Sequence, residues 1–234
     1  MNHDTHNSSD APCDRAAELA TDVLGAGLGA CALTTDEPNW ATKKVHQILA
    51  RLVSIRGTVA ELYLIITRGI PASDWPPCIT FSPSENALAA VIAREDGEIL
   101  GVHLIRLTRD GKKIADSGKK LVKQSYGSLR GAPVRFPGPA DAPLLLTEGP
   151  ETGLSVWTST GYETWVALGG MSKLLPPAGR KIVVCADDDA HHAGKQNTLR
   201  KAINKWKRQG IDVVVAHPWK SRREDDLTDF LHQS

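Results

Sequence analysis

From Pro143 onward the hydrophobic pattern repeats as short apolar runs separated by longer segments of mixed polarity. "PLLLTEG" reads as a strand and turn, "PETGLSVWTST" as a helix, "ETWVALGG" as a strand and turn, and "KIVVCADDD" as a third strand. A long helix over about 193–209 follows, then the strand "DVVVAHP" and a closing helix, "EDDLTDFLHQ". Strands that alternate with helices predict a parallel sheet with both faces covered, because a parallel connection must cross the sheet. In such sheets ligands bind beyond the carboxyl ends of the strands.

Upstream the period is different. A helix is expected from about Trp40 to Ile55, with Val45, Ile48, Leu49 and Leu52 on one face, and another over Val59 to Thr67 before Gly69. "CITF", "LAAVIARE" and "ILGVHLIRL" read as strands, the last two joined at Asp96-Gly97, a strong hairpin signal. The stretch "GKKIADSGKKLVKQSYGSLRGAPVRF" is basic and broken by glycines, and "PGPADAP" reads as a linker. The expected organisation is a partly disordered, partly helical leader over 1–39, an α+β domain with an antiparallel hairpin over 40–140, and a Rossmann-like α/β domain over 141–234. Within the leader, "APCDRAAELATDVL" has helical spacing and runs into "GAGLGA". With no strand before it, that cluster reads as a helix stop rather than a dinucleotide loop.

Charge changes the picture. Of the 234 residues, the first 39 hold seven acids against Arg15, while the remainder hold 27 Lys or Arg against 20 Asp or Glu. The surplus gathers in two segments, 106–135 and 194–224, each with nine Lys or Arg against two acids. Basic segments of this kind suit a polyanion or form solvated faces. Lys119, Lys120, Lys123 and Arg130 are the candidates for a groove that tracks a phosphate backbone. Trp157 and Trp165 are expected to fill core space, and Trp75 and Trp219 to pack at a rim or stack on bases. His103, inside a strand pattern, is expected to be structural. Cysteines 13, 31, 78 and 185 show neither metal-ligand nor disulfide spacing, which excludes a zinc ribbon and fits a reducing cytoplasm. The start lacks a basic n-region and no run spans a bilayer, so no membrane association is expected.

The chemistry sits in acids at strand ends: Glu148 closes the first strand of the alternating region, and Asp187 to Asp189 close the third. A run of aspartates can be a solvated turn or a helix N-cap. If three carboxylates meet at about 4 Å, however, each pair repels by about 4 kcal/mol at an effective dielectric of 20, so such a cluster calls for a cation. Oxygen donors with open positions favour one or two Mg2+ or Mn2+ ions over zinc. "DAHH" lacks the contiguous triad of the DHH phosphoesterases, and "AGKQ" lacks the glycine and hydroxyl of a P-loop.

"LLLTEGPETGLS", "VVCADDDA" and "DLTDFL" together resemble the Toprim domain, the catalytic fold of bacterial-type primases, type IA and type II topoisomerases and several nucleases. The segments "GTVAELYLIITRGI", "ALAAVIAREDGEILGVHLIRLTRDGKK" and "GAPVRF" resemble the domain that precedes Toprim in primase and helicase proteins of phages, plasmids and other mobile elements. The resemblance implies that Glu148 is the catalytic glutamate, that Asp187 and Asp189 are the metal pair with Glu148, and that Asp226 and Asp229 belong to the closing segment. Glu151 stands where the plasmid and phage branch often carries a second glutamate, and Lys195 is a further candidate for nucleotide or nucleic-acid contact. Between the acid pair and Gly194 the chain is two residues longer than the family pattern, which places His191 and His192 at the mouth of the expected site.

The expected activity is Mg2+-dependent primer synthesis on single-stranded DNA from nucleoside triphosphates. The alternatives are a metal-dependent nuclease and a non-catalytic nucleic-acid-binding module. Topoisomerase action does not fit, since Tyr63, Tyr126 and Tyr162 lie in short segments of these two domains. Zinc ribbons and helicase domains commonly flank this catalytic unit in the family, so a separate helicase or zinc-binding DNA-recognition protein is an expected partner.

Overall fold

A computed structural model of the protein describes residues 40–71, 74–114, 122–127, 129, 131–186 and 193–216. The chain divides into two compact units between Pro137 and Gly138.

The first unit is built on an antiparallel sheet. Helix α1 (Trp40–Leu49) leads into the two-residue strand β1 (Val53–Ser54), and helix α2 (Val59–Leu62) continues as a turn of π-helix (Tyr63–Thr67). Thr58 caps α2 through its hydroxyl, which accepts from the amide of Ala60. Strands β2 (Ile79–Ser82), β3 (Ala87–Ala93), β4 (Ile99–Arg106) and β5 (Lys123–Gly127) follow, then the short β6 (Val134–Phe136). The order β1-β2-β3-β4-β5 is a meander, and every pair in it is antiparallel. Between β3 and β4 the chain turns at Asp96-Gly97, where Gly97 takes φ +87° and the Asp96 carboxylate accepts from the amide of Glu98.

Val45 and Ile48 of α1 are buried against Ala87, Ala89, Val102, Leu104 and Tyr126. The helix stops well before Ile55. Arg51 and Leu52 donate to carbonyls three residues back, and the chain then extends so that Val53 pairs with Phe81. Leu49 and Leu52 both pack on the same cluster, so the apolar spacing continues past the helix itself.

The second unit is doubly wound. Strand β7 (Leu144–Thr147), helix α3 (Pro150–Thr160), strand β8 (Thr164–Val166), a 3-10 turn (Met171–Lys173), strand β9 (Ile182–Cys185), helix α4 (Ala193–Arg208) and strand β10 (Val213–Ala216) follow in order. The strands lie in the order β10-β9-β7-β8, and all three pairings are parallel. Leu144, Leu146, Ile182, Val184 and Val213 face a cluster with Met171, Leu174, Ala202 and Trp206. Each fully buried aliphatic side chain there contributes about 2 kcal/mol. Strand period sends the alternate residues Leu145 and Val183 to the opposite face. Helix α3 starts at Pro150, whose ring fixes a helical φ without losing a needed N–H. It ends at Gly161, left-handed at φ +68°, whose amide donates to the carbonyl of Trp157.

The sheet-and-helix architecture agrees with the α/β reading of the sequence. The expected first helix, "GAGLGA" and the closing helix lie outside the described residues. Among the described residues no helix is long and apolar enough to cross a membrane.

Candidate active site at the carboxyl edge of the parallel sheet

The winding of the second unit creates one special place. Chain leaving β7 passes through α3 to β8 on one side, and chain leaving β9 passes through α4 to β10 on the other. Because β7 and β9 are neighbours, the two connections diverge and leave a crevice at their carboxyl ends. Leu146 is level with Val184, and continuing that register sets Glu148 level with Ala186, on strands about 4.8 Å apart.

Glu148 is the first residue beyond β7 and is half-buried. Its backbone is held from the neighbouring strand, since its carbonyl accepts from the amide of Leu168 at 2.9 Å, and that of Thr147 accepts from Ala167 at 2.8 Å. The Leu168 contact needs an uncommon backbone: Leu168 has φ +51° and Gly169 φ +78°. A left-handed leucine costs about 1 kcal/mol. Thr147 is fully buried beneath the turn.

Glu151 lies in the first turn of α3, where the helix dipole favours a carboxylate. It is only 4% exposed, and a Cβ added to Gly149 would lie 3.5 Å from its Oε2. The carboxylate therefore curls back against the Glu148-Gly149 turn. Two glutamates three residues apart thus have different settings, one half-exposed at the crevice and one enclosed behind it.

The other expected site residues divide as follows. Lys123 is exposed at the start of β5, the edge strand of the antiparallel sheet. Lys195 falls in the first turn of α4, and its side chain is outside the description. Asp187, Asp189, His191, His192, Asp226, Asp229, Lys119, Lys120 and Arg130 lie outside the described residues. Among the described residues no three His, Cys, Asp or Glu side chains gather as a metal-holding group. Glu148 is half-buried, and carboxylate oxygens are hard donors of the kind Mg2+ and Mn2+ take, so the residue fits a divalent ion at this edge.

Several residues have structural roles. Trp165 is buried, and its indole N–H donates to Glu163 at 2.7 Å. Trp75 is half-buried and donates to Glu61 at 2.9 Å, which occupies its polar edge. The Nδ1 of His103 lies 2.8 Å from the Ser125 hydroxyl, within the sheet. Burial pushes the thiols up, Cys78 to about 12 and Cys185 to about 11, so both stay protonated at neutral pH. Sequence reasoning missed the left-handed Leu168, because nothing in "VALGG" distinguishes a leucine in that conformation from one in a strand.

The family described as "Toprim domain" matches residues 143–234, and the family "Domain of unknown function (DUF7146)" matches residues 39–136. No curated protein sequence matches the chain. Among solved structures, a DNA primase domain from Pseudomonas aeruginosa is similar at 13% identity and a TM-score of 0.44, covering 73% of this chain and 55% of that one. The Aquifex aeolicus primase, comprising zinc-binding and RNA polymerase domains, is similar at 12% identity and a TM-score of 0.42, covering 93% and 58%. The catalytic core of the E. coli primase is similar at 12% identity and a TM-score of 0.42, covering 94% and 70%. The chain thus spans little more than half the length of the first two structures.

Proposed function

Residues 143–234 are a Toprim domain and residues 39–136 a DUF7146 domain, and from that premise we propose that the chain is a Mg2+- or Mn2+-dependent nucleotidyltransferase of DNA primase type, which makes short primers on single-stranded DNA for a plasmid or other mobile element. The observation that carries this reading is the position of Glu148, half-buried at the carboxyl end of β7 beside β9.

Toprim domains generally bind divalent metal. Asp187 follows Ala186 directly in sequence, so Glu148, Asp187 and Asp189 are the residues that would hold one or two ions. Ions held there would supply positive charge to offset the phosphate oxygens of an in-line displacement. Glu148 helps bind the metal or takes the proton of the attacking 3′-hydroxyl, and its backbone, fixed by the Leu168 amide, limits how far the carboxylate can stray. Glu151, enclosed behind the turn, orients it from below, and Asp226 and Asp229 are auxiliary acids. His191 and His192 are auxiliary candidates for contact with phosphate or metal. Lys195 takes nucleotide phosphate, while Lys119, Lys120, Lys123 and Arg130 hold template strand. The chain acts in the cytoplasm, with a separate helicase or zinc-binding DNA-recognition protein as partner.

The test is incubation of the purified chain with Mg2+ or Mn2+, single-stranded DNA and labelled nucleoside triphosphates, beside Glu148→Gln and Asp187→Ala. Short labelled products lost in both variants support primer synthesis. Degradation of end-labelled DNA, lost in the same variants, replaces the proposal with a nuclease. Binding of DNA with neither product assigns a non-catalytic role.

A further inference from the structure

Helix α4 carries Lys195, Arg200, Lys201, Lys205, Lys207 and Arg208 and no acid at all over its 16 residues. Cations in a last turn are expected, because they complement the helix dipole, and this covers Lys205, Lys207 and Arg208. It does not cover Lys201, which sits four residues before Lys205, where like charges repel along a helix.

These side chains share a feature the dipole does not require. A cleft of about 400 Å3 lies between α4 and the 3-10 turn, lined by Ser172, Lys201, Ala202, Asn204, Lys205 and Arg208. Lys201, Lys205 and Arg208 fall on one helical face, at spacings of four and three residues, and the small, buried Ala202 leaves the space between them and Ser172. The lining offers three cations, a hydroxyl and an amide, and no carboxylate. The Nε of Arg208 donates to the carbonyl of Asn204 at 3.2 Å, which sets its guanidinium along the helix. The only large aromatic of this helix, Trp206, is wholly buried, with its indole N–H on the carbonyl of Leu174, so no ring is offered to a base.

We propose that this cleft binds the sugar-phosphate backbone of single-stranded DNA, as a contact separate from the crevice at Glu148. It deepens the nucleic-acid reading made above and rests on it for the identity of the polyanion. From Lys201 to Arg208 the cations extend about 10 Å along the helix, at 1.5 Å per residue, which is longer than one phosphate and suits a run of them. Helix α4 also starts at the crevice end of β9, and the cleft begins about 12 Å further down the same helix. A strand leaving the crevice can therefore follow α4. With charge contacts alone, the binding is independent of sequence and sensitive to salt.

The experiment is fluorescence anisotropy of a labelled oligothymidylate with the full chain, without divalent metal or nucleotide, over a series of salt concentrations. The triple variant Lys201→Gln, Lys205→Gln, Arg208→Gln is compared with Lys207→Gln, a cation of the same helix outside the cleft. The triple variant is expected to lower the magnitude of the slope of log K against log salt by about 2, at about 0.7 per phosphate contact on a single strand. Lys207→Gln is expected to leave the slope within experimental error. All three cations are on the helix surface and circular dichroism verifies the fold. An unchanged slope in the triple variant, or an equal loss per charge in Lys207→Gln, overturns the proposal. Because no catalysis is read, a chain that binds in this way but makes no primer refutes primer synthesis and leaves this contact standing.

Discussion

The two units set their acids in different places. In the antiparallel unit, charge is taken inside and paired within the structure. The Arg106 side chain is almost fully buried and donates to the Glu85 carboxylate at 3.1 Å and to the Tyr126 hydroxyl at 2.9 Å. Glu85 also accepts from Lys44 at 2.5 Å, and Tyr126 donates to Gln124 at 2.8 Å. This network ties α1, the β2–β3 turn, β4 and β5 together. The parallel unit pairs charge too, with Arg180 donating to Glu163 and to the carbonyl of Ala142, but it also sets two acids beyond its first strand, Glu148 at the end of β7 and Glu151 in the first turn of α3. Glu85 closes a circuit of internal partners and serves the fold, whereas Glu148 stands where open α/β sheets bind ligands and is proposed to serve one. On that proposal the same residue type has two meanings, and position in the sheet distinguishes them.

The largest expected effect tests the second meaning. Glu148→Gln keeps shape and hydrogen-bonding capacity but removes the charge. It should lower nucleotide incorporation by about 10² to 10⁴, the range for loss of an acid–base group, while thermal denaturation shifts by less than about 1 kcal/mol. A large loss of stability with unaltered incorporation would turn Glu148 into a residue of the first kind.

The converse variant is Arg106→Met. It leaves Glu85 with Lys44 alone and removes the donor to Tyr126. Breaking such a buried pair from one side costs about 3 kcal/mol, read as a lower denaturant midpoint of the antiparallel unit. Retained stability would place the network among ornamental surface ion pairs, and the contrast between the units would fail.

Acid should separate them further. Burial pushes the Glu85 carboxyl up, but hydrogen bonds from Lys44 and Arg106 outweigh it and hold the group below its ordinary 4.5. Burial is likewise outweighed at Glu61 by the Trp75 indole, the Gly57 amide and Arg56. Carboxyls lowered in the folded state contribute stability that is full above the unfolded value and lost as pH falls through the native one. Melting curves between pH 6 and 3 should therefore show a loss that Glu85→Gln, less stable at neutral pH, undergoes to a smaller extent. Parallel acid limbs for the two chains would remove Glu85 from the account.

How far the sequence disclosed all this depended on what each segment buries. β3, β4, β7, β9 and β10 are apolar runs because they sit in sheet interiors or are covered by helices, and so each was visible in advance. β5 was not, since "KQSYG" is an edge strand with only Tyr126 buried, and edges carry polar residues that blur the period. Helix α1 was read too long, because Leu52 packs on the same cluster from outside the helix. At the site, Glu148 was legible from its place after an apolar run. The α4 cleft was not, because cations on a helix look the same whether they face open solvent or a concavity shared with Ser172 and Ala202.

The smallest expected effect compares backbone rather than charge. Each unit has one described non-glycine residue with positive φ: Asn86 at 45° and Leu168 at 51°. Asn86 suits its place, since asparagine tolerates the left-handed region and its side-chain amide donates to the carbonyl of Leu107 at 2.8 Å. Leu168 has no such compensation of its own, and its amide instead fixes the carbonyl of Glu148. Reciprocal substitutions should therefore be unequal. Asn86→Leu should cost about 1–2 kcal/mol, from the backbone penalty and the lost hydrogen bond. Leu168→Asn relieves the backbone penalty while exposing part of a half-buried site, so stability should stay within about 1 kcal/mol. Because the Leu168 amide is kept, incorporation should be unchanged as well. If incorporation falls several-fold at unchanged stability, the leucine side chain itself positions the Glu148 turn, and strain at the crevice edge is tied to function and not only to connection.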